Sequence, residues 1–423
     1  MAPLVAGRAA TLVAAAGTAL VLASSPAVAL VTSSTQDGDT VVITSNAAAD
    51  TMAMTCQLGQ SLVNGSLPLP LLPCAHVAFV EVEANGGADT VDLSGVTPTD
   101  FPSFVASSVD VEDSSSDTVV GSQGRDVVHA DGGDEVSTGQ GDDWVEGADS
   151  ADGGPGDDTL REVLGAAQGG SGDDLLVNPG SGPLDGGVGT DTVVLDYSAF
   201  TSEQAVGLVL DDASIGGAVV ALGIEAYDVT TADGGGADSI DGRGYSGRVS
   251  FHARAGNDTF LGGPGADVAD LGAGNDAADP GPGSDLVLGG EGDDTVSVRD
   301  GFGDVVECGP GTDTVTADRS DILSGCENVS LPAPETGAVQ GSKKLARGTK
   351  AFFTFGSPVA GAVFECQLDA AAYRPCTSPF KVRTRKLAVG RHTLSVRAVQ
   401  PVGNPDPTPS TFRFKVTRPA RQA

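Results

Sequence analysis

Five aspartates recur every nine residues between positions 256 and 296, and each lies two residues after a glycine and two before an apolar residue. The aspartates are Asp258, Asp267, Asp276, Asp285 and Asp294, and the glycines are Gly256, Gly265, Gly274, Gly283 and Gly292. Glycine permits the positive-φ turns that a tight six-residue loop needs. Self-similarity at a fixed period is the sequence signature of a solenoid, in which each repeat packs only on its neighbours.

The chemistry of stacked aspartates points to a metal. If two nonapeptides form one coil, residues eighteen apart stack at the ~4.8 Å spacing of paired strands. Asp258 then lies beneath Asp276 and Asp276 beneath Asp294, while Asp267 stacks with Asp285 on the opposite edge. Carboxylates about 5 Å apart repel by roughly 1–3 kcal/mol. Calcium fits best, because it accepts six to eight oxygens from carboxylates and turn carbonyls. We therefore expect several Ca²⁺ ions, with the residue before each Asp contributing mainly its carbonyl.

A looser array of the same motif surrounds the regular one. Its spacings before residue 192 are 8, 9, 15, 16 and 17 residues, so several coils have lost one copy and their sites are expected to be fewer or weaker. The additional candidate ligands are Asp126, Asp134, Asp143, Asp158, Asp174, Asp191 and Asp313.

The regular stretch resembles the hemolysin-type (RTX) calcium-binding repeat, whose pattern is Gly-Gly-x-Gly-x-Asp-x-apolar-x. The resemblance implies a parallel β-roll or β-helix solenoid that calcium stabilises. The alternative is a disordered, acidic, glycine-rich linker, but such a linker has no reason to keep an apolar residue two after each Asp.

Charge is divided unevenly along the chain. The formal net charge is −34, but residues 341–423 hold fifteen Lys/Arg and three Asp/Glu, a net of +12, which leaves −46 for residues 1–340. Residues 1–29 are predicted to be a secretory signal peptide, with Arg8, an apolar run and a small-x-small site ending at Ala29. No second apolar run of about 20 residues follows, so no transmembrane span is expected in the mature chain. An uncleaved anchor is the alternative.

The fold class predicted is all-β: a parallel β-roll/β-helix solenoid followed by a small immunoglobulin-like β-sandwich. Residues 30–117 are assigned to an N-terminal capping or degenerate solenoid, 118–330 to the RTX-type β-roll, 331–340 to a linker and 341–418 to the immunoglobulin-like domain. The last assignment rests on alternating strands and on a resemblance to modules appended to exported bacterial proteins. The segments that carry it are Phe364 to Asp369, Pro375 to Phe380 and Gly390 to Ala398.

The six cysteines favour disulfides in an exported protein. Sequence alone permits fifteen pairings. Three local couples are favoured, because each pair is close in sequence and no Cys-x-x-Cys metal motif occurs. They are Cys56–Cys74, Cys308–Cys326 and Cys366–Cys376.

No catalytic motif is found: His-Glu-x-x-His and Gly-x-Ser-x-Gly are both absent, and none of the four histidines is paired at ligand spacing. The sequence therefore predicts a non-enzymatic, secreted calcium-binding protein with a structural or adhesive role at the cell exterior. The alternative is a polysaccharide-active enzyme on the β-helix, which needs an Arg/Asp groove within 190–255. Nucleic acid is excluded by the acidic solenoid. Cell-envelope polymers or a surface protein are expected partners of the basic C-terminal domain, and a solvated basic face is the alternative.

Overall fold

The computed structural model describes residues 32–36, 38–66, 72–199, 206–215, 219–232, 235–359, 361–399 and 405–419. The predicted signal peptide lies outside them. Within these ranges the secondary structure consists of β-strands and two 3₁₀ turns, Cys74–His76 and Thr384–Lys386, with no α-helix. No helix in the described part of the chain is long and apolar enough to cross a membrane. The all-β prediction is confirmed.

The chain divides into two compact units, residues 1–139 and 140–423. The first contains ten strands: β1 (Thr32–Gln36), β2 (Thr40–Thr44), β3 (Thr51–Gln57), β4 (Gln60–Val63), β5 (Phe79–Glu83), β6 (Thr90–Asp92), β7 (Ala106–Asp110), β8 (Thr118–Val120), β9 (Arg125–His129) and β10 (Glu135–Ser137).

Within the first unit the chain alternates between two sheets. Strands β2, β5, β7 and β9 pair in parallel, and β1 adds to β2 in antiparallel fashion. Strands β3, β6, β8 and β10 form the other parallel series, with β4 folded back on β3 as a hairpin. The antiparallel additions cover the first strand of each series, as the exposed ends of a solenoid require.

The second unit opens with twenty-two short strands of the same kind. They are β11 (Trp144–Glu146), β12 (Ser150–Pro155), β13 (Thr159–Arg161), β14 (Ala167–Ser171), β15 (Leu175–Val177), β16 (Leu184–Val188), β17 (Thr192–Asp196), β18 (Gly207–Asp211), β19 (Ser214–Ile215), β20 (Val219–Leu222), β21 (Ala226–Thr230), β22 (Ser239–Gly244), β23 (Arg248–His252), β24 (Thr259–Leu261), β25 (Val268–Asp270), β26 (Ala277–Asp279), β27 (Leu286–Leu288), β28 (Thr295–Val298), β29 (Val305–Glu307), β30 (Thr314–Ala317), β31 (Ile322–Ser324) and β32 (Asn328–Ser330).

The regular part of this unit stacks as the nine-residue period predicts. Strand β24 pairs in parallel with β26, and Phe260 faces Ala278 in that register, eighteen residues on. On the opposite sheet β25 pairs with β27, which places Ala269 beside Val287. These inward side chains are buried. The solenoid prediction is confirmed, and its core here is thin because two of these four residues are alanines.

The three predicted disulfides are confirmed: Cys56–Cys74, Cys308–Cys326 and Cys366–Cys376. Cys308 and Cys326 join the ends of two neighbouring coils, since β29 pairs with β31 immediately before them. Arg299 adds hydrogen bonds to the carbonyl oxygens of Ala317 and Ser330. The C-terminal coils are thus held by covalent and polar contacts where the apolar core ends.

Residues 341–419 form two small sheets. The strands are β33 (Lys344–Ala346), β34 (Lys350–Phe353), β35 (Val363–Leu368), β36 (Arg374–Cys376), β37 (Phe380–Arg383), β38 (Gly390–Val399) and β39 (Ser410–Thr417). Strands β33, β39, β38, β35 and β36 lie side by side in one sheet, and β34 and β37 form the other. Phe353, Leu394, Val396, Phe414 and Val416 fill the core between them. The immunoglobulin-like assignment of this domain stays a prediction, as do the predicted domain boundaries.

Candidate metal centre

All twelve aspartates predicted as ligands are buried, none with more than 2% of its surface exposed. They are Asp126, Asp134, Asp143, Asp158, Asp174, Asp191, Asp258, Asp267, Asp276, Asp285, Asp294 and Asp313. Aspartate is rarely buried so completely unless it is paired, hydrogen-bonded or bound to a metal. The hydrogen-bond partners of each carboxylate oxygen therefore indicate whether the array is satisfied by the protein or needs a metal.

One carboxylate oxygen of each stacked aspartate has a main-chain partner in the adjacent coil. The Asp258 N–H donates to Oδ1 of Asp276 at 2.7 Å, and the Asp276 N–H donates to Oδ1 of Asp294 at 2.9 Å. On the opposite edge the Asp267 N–H donates to Oδ1 of Asp285 at 2.8 Å. The predicted eighteen-residue stacking of these aspartates is confirmed, and each carboxylate also serves as a main-chain acceptor between coils.

A second, exposed ladder runs one residue earlier. The Asn275 N–H donates to Oδ1 of Asn257, and the Asp293 N–H donates to Oδ1 of Asn275, both at 2.8 Å. The side chain at this position therefore accepts an N–H from the next coil, because stacking brings the main chain of one turn within reach of a short polar side chain in the next. The expectation that this position offers calcium mainly its carbonyl stays a prediction.

Several members of the buried columns escaped the sequence analysis as candidate ligands. Asp89, Asp117, Asp238 and Asp304 are buried in equivalent positions, and the N–H groups of Asp191 and Asp313 donate to the carboxylates of Glu225 and Glu327. Asp304 breaks the Gly-x-Asp spacing but keeps an apolar residue, Val306, two positions later. That apolar position was the signal that could have found it.

The other oxygen of most column carboxylates lacks a partner. Within the described residues, the aspartates whose Oδ2 is buried without a hydrogen bond include Asp117, Asp158, Asp174, Asp191, Asp258, Asp276, Asp285, Asp294, Asp304 and Asp313. Burying an ionised carboxylate oxygen without a compensating partner is strongly unfavourable. An array of such oxygens is what a row of cations would satisfy.

Main-chain carbonyls border the same niches. A Cβ atom added at Gly289 would lie 2.7 Å from Oδ2 of Asp294 and 2.4 Å from the carbonyl oxygen of Cys308 in the next coil. One added at Gly169 would lie 2.3 Å from Oδ2 of Asp174 and 2.6 Å from the Gly186 carbonyl oxygen. In each case the two nearest atoms are a carboxylate oxygen and a main-chain carbonyl oxygen, and the missing Cβ leaves room between them. Oxygen donors of this kind suit calcium rather than a metal that prefers nitrogen or sulfur.

No group of three or more His, Cys, Asp or Glu side chains converges on one point in the described parts of the chain. Each niche instead combines one carboxylate per coil with turn carbonyls.

Comparison with known families agrees with this geometry. Residues 113–145, 250–278 and 281–305 match the family described as RTX calcium-binding nonapeptide repeat (4 copies). The chain carries RTX repeats. Such repeats indicate a calcium-binding β-roll, and the matched segments include eight of the twelve predicted aspartates.

Other comparisons add little. No curated protein matches the chain. Among solved structures, the chitinase ChiW from Paenibacillus sp. str. FPU-7, a cell-surface-expressed multi-modular enzyme, aligns at 10% identity with a TM-score of 0.14. The alignment covers 74% of this chain and 24% of the chitinase chain. A TM-score this low carries no argument about the fold or activity of the present chain.

The five predicted glycines of the RTX repeats lie directly over carbonyls of the preceding coil. A Cβ atom at Gly274 would lie 1.3 Å from the Gly256 carbonyl oxygen, and one at Gly265 would lie 2.0 Å from that of Gly247. Gly256, Gly274 and Gly292 also have φ between +134° and +157°. The φ angles of Gly265 and Gly283 lie outside the left-handed range, so glycine is required there only by the close stacking on a carbonyl. A positive φ therefore explains three of the five glycines.

Burial raises the pKa of several column carboxylates. Desolvation is the largest cause, and neighbouring carboxylates add to it, while the hydrogen bond from the adjacent coil opposes it. The pKa rises to about 7 for Asp158, Asp258 and Asp285, and to about 6 for Asp174 and Asp276. A cation in the array removes the penalty on the ionised form, so calcium binding should release protons near neutral pH.

These raised pKa values predict how the calcium-free protein responds to pH. Between the ordinary value of 3.8 and the raised value of about 7, the folded state binds more protons than the unfolded chain. The contribution of this protonation to the free energy of unfolding is complete below pH 3.8, and it is lost as the pH rises through the folded-state pKa. With calcium chelated, the array should therefore have a higher thermal midpoint near pH 5 than near pH 7.5. Circular dichroism melts at the two values test this, and a midpoint that rises with pH would contradict it.

Proposed function

We propose that this protein is an exported, non-enzymatic calcium-binding scaffold with a structural or adhesive role at the cell exterior. Its RTX repeats form a β-roll whose coils are locked together by Ca²⁺. The observation that carries the proposal is the buried Oδ2 atom left without a partner in Asp258, Asp276, Asp285, Asp294, Asp304 and Asp313, whereas Oδ2 of Asp267 accepts the Gly263 N–H.

When bound, calcium would supply positive charge to carboxylates that otherwise repel one another. Asp258, Asp276, Asp294 and Asp313 would hold ions along one edge, and Asp267, Asp285 and Asp304 along the other, together with turn carbonyls. The coils alone bury few large side chains, with alanine at positions 269 and 278. A thin core offsets little chain entropy, so much of the array's stability should come from the ions. One site stabilises by about 2.7 kcal/mol when calcium is a hundredfold above its Kd.

Calcium titration of the chelated protein tests the proposal. We expect circular dichroism to report a gain of β-structure, and limited proteolysis to report protection of residues 250–330, as calcium is added. Magnesium should not substitute, because it demands strict octahedral geometry and keeps its waters. Residues 341–418 contain no buried acidic column and provide the internal control, since their protease resistance should not depend on calcium. If chelated protein keeps the same β content and protection in 250–330, calcium is not what stabilises this array.

A further inference from the structure

The C-terminal domain carries a surplus of positive charge that its own acids do not neutralise. Residues 341–423 contain fifteen Lys/Arg and three acidic side chains. Each acid is already engaged: Glu365 pairs with Arg397 at 2.7 Å, Asp369 with His392 at 2.7 Å, and Asp406 accepts hydrogen bonds from Thr336 and Thr408. The remaining cations depend on solvent or on a ligand.

Part of the surplus is concentrated in a row across one face of the five-stranded sheet. Lys344 of β33 lies opposite Lys415 of β39, and Lys415 lies opposite Arg391 of β38. Arg413 follows in the next row, opposite Thr393. Like charges directly opposite one another in a sheet are destabilising. All four cations are exposed, and none forms an ion pair with an acid in the described part of the chain.

Arg397 lies in the same strand as Arg391 but, unlike it, has partners within the domain. It is held by Glu365, and its guanidinium carbon lies 4.2 Å from the centre of the Tyr373 ring. Three rows away on the same face, Arg391 has neither kind of partner among the described residues. The sheet therefore neutralises one end of this face and leaves the other end cationic.

The cationic end of the face is an open groove rather than a flat patch. Lys343, Arg391, Thr393, Arg413 and Lys415 line a cavity of about 460 Å³. Neighbouring strands lie about 4.8 Å apart, so Lys415 and Arg391 place cations along the groove at roughly that interval, and Lys344, outside the cavity lining, continues the row beyond it. A linear ligand with regularly spaced negative groups matches this arrangement better than a single small anion does.

A hydroxyl group in the groove narrows the ligand class. The side-chain hydroxyl of Thr393 lines the cavity on the same face as Arg413 and has no hydrogen-bond partner in the residues described. Guanidinium groups bind carboxylate and sulfate oxygens in pairs, and free hydroxyls suit sugar hydroxyls. We propose that this groove binds an anionic polysaccharide. The inference gives a ligand to the adhesive role proposed above and rests on that role for its biological meaning.

The test uses the full-length exported protein, labelled heparin and labelled polygalacturonate as probes, and dextran as the uncharged glycan. Arg391→Gln/Lys415→Gln removes two charges from the row. Lys381→Gln/Arg383→Gln removes two exposed charges from strand β37 of the other sheet and is the matched control. Because each contact releases about 0.7–0.9 counterions, the slope of log binding constant against log salt should fall in magnitude by about 1.4–1.8 in the first variant. The control should keep the parent slope.

Thermal melts show whether the groove variant is folded, and its midpoint should rise because like-charge repulsion across the row is relieved. Absence of heparin and polygalacturonate binding overturns the proposal, and so does an equal loss in both variants. Polyphosphate bound as tightly as the glycans overturns the polysaccharide assignment. Self-association that Arg391→Gln/Lys415→Gln abolishes, without any glycan binding, assigns the groove to a second copy instead. The calcium response of the same preparation is read separately by circular dichroism, so failure of the scaffold proposal is distinguishable from failure of this one.

Discussion

Replacing Asp276 with asparagine should stabilise the calcium-free array and destabilise the calcium-loaded one. Asparagine keeps the Oδ1 acceptor for the Asp258 N–H, a bond of 2.7 Å, but removes the buried charge. Without metal, burial raises the pKa of Asp276 to about 6, so its ionised form is costly at neutral pH. Removing that charge should gain on the order of 2–3 kcal/mol of unfolding free energy in chelator. With calcium, a neutral amide is a poorer ligand and the change should be unfavourable.

Asp279→Asn is the matched control, because it removes the same charge from an exposed position in the same strand. Its effect should stay within about 0.5 kcal/mol in both media, as is usual for surface substitutions. Urea unfolding at neutral pH, with calcium and with chelator, gives the four comparisons needed. If Asp276→Asn shifts stability in the same direction in both media, the unpartnered carboxylate oxygen is not a calcium ligand.

Gly274→Ala is expected to disrupt the coils around it even at saturating calcium. The new Cβ would lie 1.3 Å from the Gly256 carbonyl oxygen, and φ at this position is +151°. Left-handed strain costs roughly 1–3 kcal/mol, and overpacking against the main chain below adds about as much or more. Because main chain cannot move aside as a flexible side chain can, we expect a loss of about 4 kcal/mol or more, the range reserved for severe lesions.

Gly303→Ala provides the comparison within the same solenoid. Its Cβ would find its nearest neighbour at 3.5 Å, and its backbone is not left-handed. That substitution should be neutral or mildly stabilising, by up to about 1 kcal/mol, through the unfolded chain. Calcium-dependent circular dichroism and proteolysis of residues 250–330 measure both variants. Equal midpoints for the two would mean that the tight stacking of glycine on carbonyl does not limit the array.

The coil period and the buried aspartates could be predicted from the sequence because both depend on a pattern that repeats along the chain, and the disulfides could because each pair of cysteines is close in sequence. Asp258, Asp276 and Asp294 are eighteen residues apart in order, so their stacking follows from the period alone. Asp304 is nineteen residues after Asp285 and was missed because one extra loop residue shifts its glycine.

The inter-coil bonds could not be predicted from the period. That Oδ1 of Asp276 accepts an N–H while Oδ2 does not depends on side-chain rotation and on the offset between neighbouring turns. The cationic row of the C-terminal domain could not be predicted from the sequence either. Lys344, Arg391 and Lys415 are far apart in sequence, and only the strand register places them side by side.

The eighteen-residue coil has a mechanical consequence. In the regular array each coil adds only one strand spacing, about 4.8 Å, to the length of the stack. The same eighteen residues drawn out as extended chain span about 60 Å. If tension along the stack unfolds one coil at a time, each step would increase the end-to-end length of the protein by about 55 Å. Because every coil is closed by its neighbour's aspartate, the calcium concentration would set the force at which the next coil opens.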